Sequence, residues 1–272
     1  MNSLPSLIPI AATIATSDSG GGAGIQADIK AFAACGVYGV SVVVALTAQN
    51  TREVRAIHPL PLPFVHDQFE ALDGDLRPAA TKTGMLLSAG HIDAVCGELR
   101  RRDWGPLVVD PVMVAKGGAR LLEESAVETM RRHLLPLALV LTPNWPEAAV
   151  LAGTPVRNEA EALAAARVIA RTGVAFVVVK GGHSEGDPVD LVLHEDELTR
   201  LPGPRLVTRH THGTGCTFSA AIAAHLARGQ EPLLAIARAK QYVAAAIAAA
   251  PGLGAGHGPL QHFPVGWPEV GR

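Results

Sequence analysis

Ile8-Pro9-Ile10-Ala11-Ala12-Thr13-Ile14 leads through Ala15 and Thr16 into Ser17-Asp18-Ser19-Gly20-Gly21-Gly22-Ala23-Gly24, and that into Ile25–Cys35. The first run is short and apolar, as a buried strand is. The second is too rich in glycine to continue a strand, and the third has helix length and carries Gln26 and Asp28. Strand, glycine turn and helix make the first half of a βαβ unit. The rest of the chain keeps the alternation. Further strands are predicted at Val37–Ala45, Ala79–Thr83, Leu107–Val109, Leu137–Leu141, Phe176–Lys180 and Leu191–His194. Helices are predicted at Phe64–Leu76, Ala89–Arg102, Ala126–Leu134, Glu147–Leu151, Glu159–Thr172, Thr217–Arg228 and Pro232–Ala249. This pattern predicts an α/β fold with a mostly parallel sheet covered by helices on both faces. No internal repeat or linker interrupts it, so residues 1–272 read as a single domain. The tail Gly252–Arg272, rich in Gly and Pro, reads as an irregular surface wrap.

Composition narrows the function. With 48% hydrophobic and 18% charged residues, 272 residues suffice for one large core. A net charge of −2 gives no bulk attraction to nucleic acid or to an anionic membrane, which leaves small molecules as the expected partners. No run approaches the roughly 18 apolar residues that would span a bilayer. The start lacks a basic segment and contains Pro5 and Pro9, so it reads as a first strand and not as a signal peptide. Cys35 and Cys96 sit in apolar helical patterns far from Cys216, which argues against disulfides; a cytoplasmic location is expected.

In such a fold, ligands gather beyond the carboxyl ends of the strands. Gly22-Ala23-Gly24-Ile25-Gln26-Ala27 formally fits a dinucleotide fingerprint, but the next strand ends in Ala45-Leu46-Thr47-Ala48-Gln49 and not in an acid. A Rossmann dehydrogenase is therefore disfavoured, and no P-loop motif exists. The glycine loop remains either a close-approach surface or a plain turn. Gln49 offers a donor beside an acceptor, which suits an aminated heterocycle as well as an ordinary polar loop. The stretch Thr47–Pro63 reads as a long loop, hence a cover over a site. Met85, after Thr81-Lys82-Thr83-Gly84, could face a flat ring or fill the core. Asp110-Pro111 suits a turn, a metal or a phosphate. Asn144 and Glu147 read as a capping box or as a Mg²⁺-orienting pair. Lys180-Gly181-Gly182 suits a phosphate.

His210-Thr211-His212-Gly213-Thr214-Gly215-Cys216-Thr217-Phe218-Ser219 closes the series. Its glycines lead onto a helix N-terminus, where free N–H groups and the macrodipole favour an anion. A thiol in that first turn is expected to have its thiolate favoured. The alternative is a glycine turn followed by a small buried cysteine. The eleven histidines lack zinc-site spacing, and His225 reads as packed.

Together, Ile14–Asp28, Thr47–Thr51, Lys82–Leu86, Asp110–Met113 and His212–Cys216, with Gly256-His257-Gly258-Pro259, closely resemble the hydroxymethylpyrimidine/phosphomethylpyrimidine kinases of thiamin biosynthesis. The resemblance runs from about Ile10 to Phe263. It implies a three-layer α/β/α ribokinase-like fold, and phosphorylation of 4-amino-5-hydroxymethyl-2-methylpyrimidine and then of its monophosphate. ATP would be the donor, with Mg²⁺ as cofactor and a homodimer as the assembly. By the same resemblance, Gln49, Met85, Asp28 and Gly22 would lie beside the pyrimidine. Lys180, Asp110 and Thr211 would meet ATP phosphates, and Glu147 and Asp110 would organise Mg²⁺. Gly213, Thr214 and Gly215 would form the anion hole, with Cys216 facing the substrate hydroxyl. Thr16 stands where the family usually has glycine, and Gly117 where serine is common. A pyridoxal kinase and a catalytically silent pyrimidine-binding domain are the alternatives.

Overall fold

The structure, a computed structural model, describes residues 8–113, 124–183 and 186–264. Gly117, the first seven residues and the last part of the tail lie outside them. In chain order the elements are β1 (Ile10–Asp18), α1 (Gly24–Ala34), β2 (Tyr38–Gln49), β3 (Val54–Pro59), α2 (Leu62–Asp73), β4 (Ala80–Thr83), α3 (Ala89–Arg101), β5 (Leu107–Val109) and α4 (Glu124–Thr129). They continue with β6 (Val140–Leu141), α5 (Trp145–Ala152), α6 (Glu159–Ala170), β7 (Phe176–Val179), β8 (Val189–His194), β9 (Glu197–Pro202), α7 (Thr214–Ala227) and α8 (Pro232–Ala248).

Among the described residues, one sheet runs β3-β2-β1-β4-β5-β6-β7-β8-β9. The strands from β2 to β7 are parallel, and β3, β8 and β9 are antiparallel additions at the edges. Both faces are covered. Val177 and Val179 of β7 join the core beneath α2, α3, α5 and α6, whereas Phe176 and Val178 join the core beneath α1, α7 and α8. That two-sided burial is why β7 reads as an unbroken apolar run. The fold is thus a three-layer α/β/α sandwich.

Three local expectations are corrected. Thr47–Pro63 is not a long loop: β2 extends to Gln49, a four-residue turn follows, and β3 pairs back against β2. The Asn50 carboxamide oxygen holds that turn by accepting the N–H groups of Arg52 (2.8 Å) and Glu53 (3.2 Å). β1 runs on to Asp18, because its end is still paired with β2 beyond a register shift at Ala15/Thr16. The helix expected at Ala126–Leu134 ends as a π turn over Met130–Leu134. The described part of the tail is irregular, and it is tied down by backbone bonds from His257 to Thr51, from His212 to Gly258 and from Gln261 to Ala246.

Candidate active site

The carboxyl ends of β1, β2, β4, β5, β6 and β7 open into a cavity of about 900 Å³. At its centre β1 separates a crossover towards β2 from one towards β4, the switch point at which open α/β sheets bind ligands. The cavity wall includes Gln49, Met85, Asp110, Glu147, Lys180, Thr211, Gly213, Thr214, Gly215 and Cys216. Two expected wall residues are absent from it. Gly22 sits behind, packed so closely that a Cβ there would come within 2.5 Å of the His212 ring. Asp28 is wholly buried, and it reaches the site only through Lys82.

Asp18, the last residue of β1, shapes the glycine loop. One carboxylate oxygen accepts the Gly20 N–H (2.8 Å), and the other accepts those of Ala23 (2.9 Å) and Gly22 (3.2 Å) and the His212 Nε2–H (2.9 Å). Burial alone would raise this carboxyl, but the hydrogen bonds from His212, Gly20 and Ala23 hold it below its ordinary value. Asp18 therefore joins two loops that are far apart in sequence.

Beneath them lies an ion pair. Lys82 Nζ is 2.7 and 2.9 Å from the two Asp28 oxygens, and Thr13 Oγ1 donates to Asp28 at 2.6 Å. Burial would lower the lysine, but Asp28, with Cys216 and Asp110, holds it above its ordinary value, so it stays an ammonium. A lysine inside a strand buried on both faces needs a carboxylate partner. That was the available sequence signal for Lys82, and Asp28 on the adjacent helix answers it.

The glycine turn expected to receive an anion leads into the start of α7. Gly213 has φ +80°, and a Cβ would fall 1.8 Å from the Gly22 carbonyl, so only glycine fits. Thr214 Oγ1 closes the turn by donating to the Thr211 carbonyl at 2.8 Å. A Cβ on Gly215 would lie 3.3 Å from Lys180 Nζ and 3.5 Å from Asp110, which places the helix start directly over these two side chains.

Cys216 corrects the expectation of a favoured thiolate. Burial pushes its thiol up to about 12; the Lys82 ammonium opposes this, and the Asp28 and Asp110 carboxylates add to it. Burial of the sulfur thus outweighs the helix field and favours the thiol over the thiolate, although the residue as a whole is half-buried where it lines the cavity.

Asp110, Glu147 and Lys180 form the polar cluster of the cavity. Lys180 Nζ lies 3.3 Å from Asp110 and 3.9 Å from Glu147. The capping box at α5 is complete: Asn144 Oδ1 accepts the Glu147 N–H (2.9 Å) and Glu147 Oε2 accepts the Asn144 N–H (2.8 Å). The capping-box reading of this pair is borne out. Burial pushes Glu147 up to about 7, Lys180 opposing and Asp110 adding. Two carboxylates around one ammonium carry more negative charge than it neutralises, so an oxygen-preferring divalent cation fits them.

A profile of the family described as phosphomethylpyrimidine kinase matches residues 18–261. The hydroxymethylpyrimidine/phosphomethylpyrimidine kinase of Rhizobium meliloti is 50% identical over 265 residues, 96% of this chain and 99% of that one. The chain belongs to the phosphomethylpyrimidine kinase family. The Haemophilus influenzae hydroxymethylpyrimidine/phosphomethylpyrimidine kinase is 46% identical, covering 92% of this chain and 95% of its own. The thiamine biosynthesis bifunctional protein ThiED of Geobacter sulfurreducens is 50% identical over 92% of this chain, which spans only 51% of that longer protein.

Solved structures divide between two activities. The phosphomethylpyrimidine kinase of Clostridium difficile 630 superposes with TM-score 0.78 at 39% identity, covering 86% of this chain and 97% of that one. The Bacillus subtilis pyridoxal kinase, solved as an ADP complex, superposes with TM-score 0.88 at 34% identity, covering 94% and 97%. Identity is thus higher with the pyrimidine kinase, and the pyridoxal kinase superposes over more of this chain. Among the described residues no helix is long and apolar enough to cross a membrane.

Proposed function

We propose that this chain transfers the γ-phosphoryl group of ATP to the hydroxymethyl oxygen of 4-amino-5-hydroxymethyl-2-methylpyrimidine, and then to the resulting monophosphate, forming the diphosphate used in thiamin biosynthesis. The observation that carries the reading is the layout of one cavity. It presents an amide and a thioether (Gln49, Met85) on one side, a helix N-terminus with Cys216 in the middle, and the Asp110–Glu147–Lys180 cluster beyond. The names borne by relatives at 46–50% identity support the substrate.

In this reading Gln49 pairs with the ring edge and Met85 lies against its face. Lys180 meets the phosphates, Asp110 and Glu147 hold Mg²⁺, and the apolar wall of Leu206, Val243 and Ile247 receives the nucleotide base. Mg²⁺, when bound there, supplies positive charge against the phosphate oxygens. The Gly213–Cys216 amides stabilise the moving phosphoryl group, whose loose transition state needs charge dispersal more than a strong base. The Cys216 thiol accordingly accepts no early proton. It lies against the hydroxymethyl group, and the alcohol proton leaves late, as the new P–O bond makes that oxygen acidic, to an oxygen of the transferred phosphoryl group.

A pyridoxal kinase is the second reading, favoured by the TM-score of 0.88 to the Bacillus subtilis enzyme. ADP release measured side by side with the pyrimidine alcohol, its monophosphate, pyridoxal and ribose decides between them. The expected order places both pyrimidines first; a clear preference for pyridoxal would overturn it.

A further inference from the structure

Of the two side-chain contacts of the Gln49 amide, the one to His212 brings like groups together. Gln49 Nε2 stands 3.3 Å from His212 Nε2, and Gln49 Oε1 stands 3.2 Å from Thr47 Oγ1. His212 Nε2 is 2.9 Å from an oxygen of Asp18 that already accepts the Gly22 and Ala23 N–H groups. A carboxylate only accepts, so that ring nitrogen carries its hydrogen and cannot receive one from Gln49. Thr47 Oγ1 is also 3.0 Å from the Ser17 carbonyl, the shorter of its two contacts, and a hydroxyl that donates there can accept from Gln49. His212 therefore rejects the NH₂ end of the amide, and Thr47 is able to receive it.

We infer that the Gln49 carboxamide is locked with its NH₂ towards Thr47 and its C=O towards His212, making Thr47, His212 and Asp18 the positioning residues that set the order of donor and acceptor read by the site. Each end keeps one free valence: the second N–H on the Thr47 side and the second lone pair on the His212 side. The fixed order matches a heterocycle whose exocyclic amino group donates to the oxygen while its adjacent ring nitrogen accepts from the NH₂. The 4-oxo counterpart, with C=O beside ring N–H, presents the reverse order and meets two mismatches. This consequence rests on the pyrimidine reading above; the orientation itself does not.

The test has two arms. In the ligand-free protein labelled with ¹⁵N-glutamine, the side-chain NH₂ of Gln49, assigned by its loss in Gln49→Glu, should show nuclear Overhauser contacts to the Thr47 methyl group. Contacts to the His212 ring instead would overturn the orientation whatever the substrate is. In the second arm, kcat/KM is compared for the 4-amino and 4-oxo alcohols in wild type, Thr47→Val and Thr47→Ser. Wild type should prefer the amino compound by roughly 100-fold, and Thr47→Val should lose about tenfold of that ratio while Thr47→Ser keeps it. An unchanged ratio in Thr47→Val would overturn the role of Thr47, because a merely structural defect slows both substrates alike. If wild type used neither pyrimidine while the Thr47 contacts were present, the substrate reading would fail and the orientation would stand.

Discussion

Lys82 and Asp28 form an ion pair that solvent does not reach, with Nζ 2.7 and 2.9 Å from the two carboxylate oxygens. The pair lies under Cys216, and its two charges act on the thiol in opposite directions. Removing one partner leaves the other buried and uncompensated.

Lys82→Met should therefore cost about 3–5 kcal/mol by urea denaturation, and the double variant Asp28→Leu/Lys82→Met markedly less. Asp28 holds the lysine above its ordinary value against the opposing effect of burial, so the lysine's share of the stability is complete below its unfolded value and fades only in strong alkali. Burial holds the Asp28 carboxyl above its ordinary value against the opposing lysine, so the carboxylate's share falls as pH rises from the unfolded value through the folded one. A single variant as stable as wild type would contradict the pairing.

Glu147 should trade stability against activity. Its folded carboxyl titrates at about 7, chiefly because it is buried, against an ordinary value of 4.5. The unfolded state thus ionises first as pH rises, and the folded state loses stability between those two values. Glu147→Gln keeps the capping geometry without the charge. It should melt about 2–4 °C above wild type at pH 8, show no gain near pH 4, and require far more Mg²⁺ for turnover. Equal melting shifts at both pH values would contradict the titration.

Cys216→Ala should slow the first transfer by about 10–100-fold and the second less, because the thiol positions the attacking alcohol without taking its proton and a phosphate acceptor does not use that contact. With the thiol pushed up to about 12, iodoacetamide alkylation of Cys216 should be slow at neutrality and keep rising, about tenfold per pH unit, beyond pH 9. A plateau near pH 7 would show a thiolate already formed.

Thr16 donates to the Met85 carbonyl at 3.0 Å, and its side chain occupies the cavity wall. Thr16→Gly removes both, so kcat/KM for pyridoxal should rise about tenfold relative to the pyrimidine alcohol, the value of one or two methyl groups in a pocket. Identical substrate ratios would mean that the hydroxyl only braces the backbone.

The layered fold was legible because β7 and its neighbours are apolar on both faces, and the capping box at Asn144 because its partners are three residues apart. β3 escaped because Val54-Arg55-Ala56-Ile57-His58-Pro59 is a largely exposed edge strand without an apolar period. The Asp18–His212 contact escaped because 194 residues separate its partners. Cys216 misled for an energetic reason. Sequence shows the helix start that favours a thiolate, but not the burial and the two carboxylates that overrule it.

The central claim is that one cavity carries out both transfers, since the start of α7 meets the Asp110–Glu147–Lys180 cluster there. The most direct measurement is a mass-spectrometric time course from the pyrimidine alcohol with excess Mg·ATP, run for wild type and Gly213→Ala. The expected result is a monophosphate that rises and then gives way to the diphosphate, with both steps depressed together in Gly213→Ala. A wild-type reaction that stopped at the monophosphate, or a second step untouched by Gly213→Ala, would contradict the claim.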